Sequence, residues 1–229
     1  MADSILKAVN VEKAFGATAA LRGANLEVSR GEIVAIMGPS GSGKSTLLHC
    51  LAGIFTPDSG EIWFDGQRLD SYDETKRTLL RRTAFGFVFQ FGQLVPELTA
   101  EDNIALPLLF NGVAHKEAYA RAAVWFERLE LRGLEKHRSG ELSGGQAQRI
   151  ALARAMVVEP KVLFADEPTG SLDSLNSERV MDLLVDTARE HGTTVILVTH
   201  DARIAASADR EVMVRDGVVT IQPRNKVVQ

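Results

Sequence analysis

Cysteine is nearly absent. Cys50 is the only one in 229 residues, so neither an internal disulfide framework nor a cysteine-rich zinc site can be built. Its neighbours are apolar and read as helix, which suits a small buried side chain better than a reactive thiol. Long hydrophobic runs are missing too: the longest, residues 104–110 and 195–198, fall far short of the about 20 residues that cross a bilayer. Any membrane role therefore has to come from another polypeptide. The opening MADSILKAVNVEK holds no basic segment followed by an apolar one, so no secretory signal is expected and the chain is expected to stay in the cytoplasm. Basic charge is not in excess either. With 26 Lys and Arg against 30 Asp and Glu, the net charge of -4 argues against a broad footprint for nucleic acid. Internal repeats, low-complexity tracts and long linkers do not occur. What is present, 45% hydrophobic and 24% charged residues, is the composition of one sizeable globular domain.

Short strand-like runs at 5–11, 24–28 and 33–37 are separated by turn residues, and the first of these turns predict an antiparallel edge. The third run leads straight into a glycine-rich loop. A helix follows from Lys44 and stops near Gly53, then a strand at 62–64 turns at Asp65-Gly66. From about 92 to 158 the pattern is helical: Tyr119, Ala122, Ala123, Phe126 and Leu129 fall on one helical spacing, and Ile150, Ala153 and Met156 on another. Strand-like runs return at 162–165 and 195–199 around an amphipathic helix at 177–190 that ends at Gly192, a βαβ pattern that implies a parallel sheet. The stretch 211–221 turns at Asp216-Gly217, a hairpin signal. The acidic-looking residues 70–74 and the tail 222–229 are expected to be solvated surface.

Gly38-Pro39-Ser40-Gly41-Ser42-Gly43-Lys44-Ser45 fits G-x-x-x-x-G-K-[ST] between a predicted strand and a predicted helix, the context the motif requires. Its glycines let backbone amides curl around phosphate oxygens, and the helix that starts near Lys44 directs its positive end at them. Lys44 is expected to neutralise the β- and γ-phosphates and the Ser45 hydroxyl to bind Mg²⁺, with Thr46 beside it at the nucleotide. At the end of the run 162–165 stand Asp166 and Glu167. Asp166 is expected to hold Mg²⁺ through water, and Glu167, pointing differently, to polarise the attacking water as general base.

Leu142-Ser143-Gly144-Gly145-Gln146, lying between the lysine loop and the acidic strand, resembles the signature of ABC ATPases, and the likeness covers nearly the whole chain, about residues 5–221. It implies an α/β fold: a P-loop NTPase with a parallel-sheet ATP-binding core, an N-terminal antiparallel β subdomain and a helical signature subdomain. The chain is expected to be one such domain over 1–229, with about 1–91 and 159–229 forming the core and β part and about 92–158 the helical part. The resemblance implies further roles. Phe15 would stack on adenine, where the family commonly has Tyr. Gln90, at the end of GFVFQ, would reach metal and water as the Q-loop glutamine, Ser171-Leu172-Asp173 would be the D-loop, and His200 would donate a hydrogen bond to the γ-phosphate. Ser143, Gly144, Gly145 and Gln146 would contact nucleotide held by an opposing cassette, so the chain is expected to pair with a second copy or with another ABC cassette.

The strings at 86–90, 96–103 and 165–173 resemble the branch of lipoprotein-release, macrolide-export and FtsE-type ATPases. That implies membrane subunits with four transmembrane helices and often a large extracytoplasmic domain, and a place on the inner face of the membrane through them. Phe91, Leu94, Val95 and Leu98 are candidate contacts for a short coupling helix of such a subunit, or equally for packing inside the helical part. A soluble ABC ATPase working on ribosomes or nucleic acid is the alternative. Such proteins generally carry paired cassettes, a long coiled coil or zinc modules, and none of these is in the sequence. Export and mechanical work stay open, as does the transported molecule.

Overall fold

The computed structural model of the chain describes residues 4–221. In chain order its elements are β1 (Ser4–Phe15), β2 (Thr18–Ser29), β3 (Ile33–Met37), α1 (Lys44–Leu51), β4 (Ser59–Phe64), β5 (Gln67–Arg68), α2 (Glu74–Thr83), β6 (Phe85–Phe89), α3 (Ala100–Phe110), α4 (His115–Arg128), α5 (Gly144–Met156), β7 (Val162–Asp166), α6 (Ser174–His191), β8 (Thr194–Val198), α7 (Ala202–Ala205), β9 (Arg210–Arg215) and β10 (Val218–Ile221). They gather into two compact units, one built from the chain up to Arg77 and from Thr194 onward, the other from Thr78–Thr193. The tail 222–229 lies outside the described residues, as do the first three positions of the segment read for a secretory signal.

In the first unit β1 and β2 form a hairpin closed where Phe15 faces Thr18. Each strand runs to 12 residues, longer than the alternation at 5–11 and 24–28 predicts. Register shifts near Ala8 and Val11, with Asn10 at φ 49°, break the two-residue period while the pairing continues past them. β4 joins the other side of β1 and turns into β5 through Asp65 and Gly66, at φ 51° and 75°. Two successive left-handed residues make a tight hairpin turn, which Asp-Gly adopts at little cost. The order β2-β1-β4-β5 is antiparallel throughout.

β3 is of another kind. Ile33, Val34, Ala35 and Ile36 expose no surface, as a strand covered on both faces requires. It pairs in parallel with β8 and with β9, and β9 turns back through Asp216 and Gly217, at φ 49° and 79°, into antiparallel β10. Cys50 in α1 is fully buried, and burial pushes its thiol up to about 12, so it stays protonated. Residues 70–74 are more than solvated surface: Asp70 accepts the Ile62 amide at 2.8 Å and pairs with Arg68 at 2.5 Å, fixing the chain just before α2.

In the second unit β6 and β7 pair in parallel. α3 opens with a reciprocal cap, the Thr99 hydroxyl accepting the Asp102 amide and the Asp102 carboxylate accepting that of Thr99. Asn103, 1% exposed, ties down the preceding loop: its Oδ1 accepts from Val95 N, and its Nδ2 donates to the carbonyls of Val95 and Thr99. Phe126 and Leu129 at the end of α4 and Ile150, Leu152 and Met156 in α5 are wholly buried. Each contributes about 1.5–3 kcal/mol by leaving water. α6 is bounded by Asp173, whose carboxylate accepts the Asn176 amide, and by Gly192 at φ 63°. Among the described residues no helix is long and apolar enough to cross a membrane.

Candidate active site

The phosphate loop, Phe15 and His200 belong to the first unit; Gln90, Ser143–Gln146, Asp166 and Glu167 belong to the second. The loop leaves the C-terminal end of β3 and enters α1. Gly38, Gly41 and Gly43 sit at φ 145°, 75° and 105°. At two of them nothing but glycine fits: a Cβ on Gly38 would stand 2.1 Å from the Val214 carbonyl oxygen, and one on Gly43 2.3 Å from that of Ala20. Lys44, 8% exposed, folds back to donate to the carbonyls of Gly38 and Pro39 at 2.9 and 3.0 Å. The Ser42 amide donates to Pro39 O and its carbonyl accepts from Gly217 N, while its hydroxyl is buried with no hydrogen-bond partner. Pro39, Ser40 and Gly41 form an exposed rim, with Ser45 exposed and Thr46 half-buried on the first turn of α1. An anion suits this cradle: first-turn amides have no partner within a helix, the helix dipole favours negative charge, and the orphaned Ser42 hydroxyl is a donor without an acceptor.

His200 follows β8. Since Ile36 and Val198 are register partners and Thr199 N donates to Ile36 O, His200 and the phosphate loop leave the same edge of the parallel strands, the edge at which such sheets take ligands. His200 is exposed, and the next residue, Asp201, caps α7. The Arg203 side chain bound to Asp201 holds its carboxyl below the usual range. Phe15, at the end of β1, is 48% exposed.

The second unit sets its acids and Gln90 side by side. β6 and β7 run in register with Phe89 opposite Asp166, so Gln90 and Glu167 emerge together. Glu167 has φ 49°, an uncommon conformation for a side chain of its size. Ser171 Oγ donates to Gln90 O at 2.8 Å, and a Cβ on Gly170 would stand 2.9 Å from Gln90 Nε2. The D-loop thus lies against the glutamine. Asp173 beside it is held below the usual carboxyl range by the Asn176 backbone amide.

Ser143 caps α5. Its hydroxyl accepts from Gln146 N at 3.3 Å and Gln146 Oε1 accepts from Ser143 N at 2.8 Å, so the Gln146 side chain is spent on the cap itself. Ser143 and Gly144 are exposed and Gly145 is buried, where a Cβ would stand 2.9 Å from Asn176 Oδ1 of α6. Phe91 is 73% exposed and Leu94, Val95 and Leu98 are half-buried.

Two residues that the motifs do not name join these parts. Gln148, 1% exposed, donates from Nε2 to Phe89 O at 2.8 Å, and Arg154 donates to the carbonyls of Gly92 and Gln93, both at 2.9 Å. Both lie on α5, so the helix that begins with the signature also grips the backbone on each side of Gln90. Burial pushes the Arg154 guanidinium below its usual pKa. The only hint in the sequence is that α5, apart from Gln146 and Arg149, sets Gln148 and Arg154 among small or apolar residues. In the second unit Gln90 and Asp166 offer an amide and a carboxylate oxygen, and in the first Ser45 offers a hydroxyl, each a hard donor of the kind Mg²⁺ takes.

The ABC transporter family model matches residues 21–170. The lipoprotein-releasing system ATP-binding protein LolD of Psychrobacter arcticus is 46% identical over 219 residues, covering 93% of this chain and 97% of that protein. The protein of the same name from Aquifex aeolicus is 44% identical over 215 residues, covering 94% and 96%. Among solved structures, the dimeric post-hydrolysis state of the cassette MJ0796 bound to ADP and Pi superposes with a TM-score of 0.87 at 38% identity, over 98% of this chain and all of that one. The antiparallel strands, parallel strands and helices described above are those of its fold. The chain belongs to the ABC transporter family, as an ATP-binding and ATP-hydrolysing subunit.

Proposed function

We propose that this subunit works as one of two cassettes that close head to tail on ATP and reopen on hydrolysis, driving membrane subunits of the lipoprotein-releasing kind. Lys44 and the loop amides of residues 38–46 hold the phosphates, and Phe15 stacks on the base. Glu167 accepts the proton of the attacking water, Gln90 orients that water, and His200 donates a hydrogen bond to the γ-phosphate. Mg²⁺, when bound by Ser45, Gln90 and Asp166, neutralises charge on the β- and γ-phosphates. Ser143, Gly144 and Gly145 present the N-terminus of α5 to the nucleotide of the opposing cassette, and Gln146 keeps that end shaped. Residues of about 92–158 act as the signature-bearing helical part.

The observation that carries the catalytic reading is the β6–β7 register, which delivers Gln90, Asp166 and Glu167 to one edge. The lipoprotein-releasing reading is supported by relatives of that name at 41–46% identity over 90% or more of the chain. The membrane partners are proposed to carry four transmembrane helices and a large extracytoplasmic domain, with the subunit held on the inner face of the membrane by them. Glu167→Gln tests the proposal. Turnover should fall about 10²- to 10⁴-fold with ATP binding kept, and the tagged variant with Mg-ATP in mild detergent should carry such a membrane protein with it. Unchanged turnover would remove Glu167 as base; recovery of ribosomes or DNA-bound proteins would overturn the membrane reading.

A further inference from the structure

Phe15 is an exposed ring at the turn end of a hairpin, a place where a side chain keeps its rotamers. Ordering it on each binding event would weaken binding. The structure braces it. Its ring meets Phe55 edge-on at 5.4 Å, and Phe55 meets His49 of α1 edge-on at 5.2 Å. On the backbone side, Asp58 accepts from Lys13 Nζ and from Ala14 N, both at 2.7 Å, while its own amide donates to Glu12 O at 2.9 Å. Ser59 Oγ adds a bond to the Glu12 carboxylate at 2.9 Å. Lys13 Nζ stands 5.8 Å from the centre of the Phe15 ring. Every residue from Glu12 to Phe15 is therefore tied to the segment 55–59, which follows α1, the helix that starts at the phosphate loop, and leads into β4.

We propose that Asp58, with Phe55, is a positioning residue for nucleotide-base recognition: it fixes the Phe15 ring relative to the phosphate cradle, through the α1 segment that both share. Phosphate loop and base platform are then two ends of one braced piece, α1 and its return turn, and base affinity depends on a carboxylate that touches no nucleotide. The inference rests on the reading of Phe15 as the stacking residue.

The test is a double-mutant cycle on the full chain, with KM and kcat for ATP and the binding of inorganic tripolyphosphate as readouts. Phe15→Ala should weaken ATP binding by about fivefold to a hundredfold. Asp58→Ala should raise KM by about threefold to tenfold with kcat held within about twofold. Asp58→Asn, which retains an acceptor for Ala14 N, should fall between Asp58→Ala and wild type. In the Phe15→Ala background Asp58→Ala should add nothing, and tripolyphosphate binding should not change in either. An unchanged KM in Asp58→Ala, the same effect with and without Phe15, or weaker tripolyphosphate binding would overturn the inference while leaving the stacking role of Phe15 intact. An unchanged KM in Phe15→Ala would defeat the stacking reading itself.

Discussion

Replacing Arg154 by Met keeps most of the aliphatic stem and removes the two nitrogens that donate to Gly92 and Gln93. The carbonyls of Gly92 and Gln93, each 2.9 Å from the guanidinium, then lose their protein partner. A hydrogen bond from a charged donor contributes about 1.5–3 kcal/mol. The bond to Gln93 is open to water and belongs at the bottom of that range or below it, so the pair together contributes about 2–3 kcal/mol. For a chain of this size that lowers the melting temperature by about 4–10 °C. The functional effect follows from place. The gripped carbonyls are two and three residues after Gln90, and a misplacement of about 1 Å at a reacting group can slow chemistry by up to about 100-fold. The expected result is a kcat reduced about tenfold or more with KM for ATP little changed, since the phosphate loop and Phe15 lie in the other unit. Arg154→Lys, which reaches one carbonyl at a time, should show about half the loss of stability. Urea unfolding followed by far-UV circular dichroism, alongside steady-state ATPase, measures both. An Arg154→Met protein that unfolds at the wild-type urea concentration and retains kcat would refute the reasoning.

Gly170→Ala should lower kcat with nucleotide affinity retained, because the new Cβ would stand 2.9 Å from Gln90 Nε2; single-turnover hydrolysis and equilibrium ATP binding separate the two. Tyr119→Phe tests the joint between α3 and α4, where the hydroxyl donates to Asp102. Partial burial raises the Asp102 pKa, but hydrogen bonds from Thr99 and Tyr119 together outweigh it and hold the carboxyl below 3.8, while the Asp102 bond pushes Tyr119 from 10.0 up to about 12. The Asp102 contribution is present above its unfolded pKa and is lost as pH falls through the lower folded value. The Tyr119 contribution is complete below pH 10 and lost as pH rises towards 12. Tyr119→Phe should therefore be less stable by about 1.5 kcal/mol near neutrality, with the gap closing at both extremes. A pH-independent difference in urea midpoints would contradict that assignment.

The parts of this fold that were legible in the sequence are those in which backbone chemistry dictates the residue. Gly38 and Gly43 face carbonyl oxygens that no Cβ can approach, and Asp65-Gly66 and Asp216-Gly217 supply the left-handed pairs that their turns need. α2 left no such mark. None of its residues is buried, so it carries no apolar stripe for periodicity to detect. α3 is broken in appearance by Pro107, yet holds because Thr99 and Asp102 fix its start and Asn103 its approach. The full lengths of β1 and β2 were hidden by irregular register. In the site, Asp166 and Glu167 were readable as a pair of acids, but the left-handed turn at Glu167 was not, since no glycine or asparagine stands there. Gln148 and Arg154 were invisible for a different reason. They hold backbone carbonyls, and a carbonyl looks the same in every residue.

The most direct test of the composite site is complementation between two inactive variants of this chain, Lys44→Ala and Gly144→Asp. The first removes the phosphate cradle of its own protomer, the second the exposed helix end offered to the other. Each alone should be nearly inert. In a mixed dimer one site carries both lesions and the other carries none, so mixing equal amounts should restore roughly a quarter of wild-type ATPase if protomers pair at random. A mixture that stays inert, with mixed dimers demonstrated by tag capture, would contradict the head-to-tail site on which the account depends.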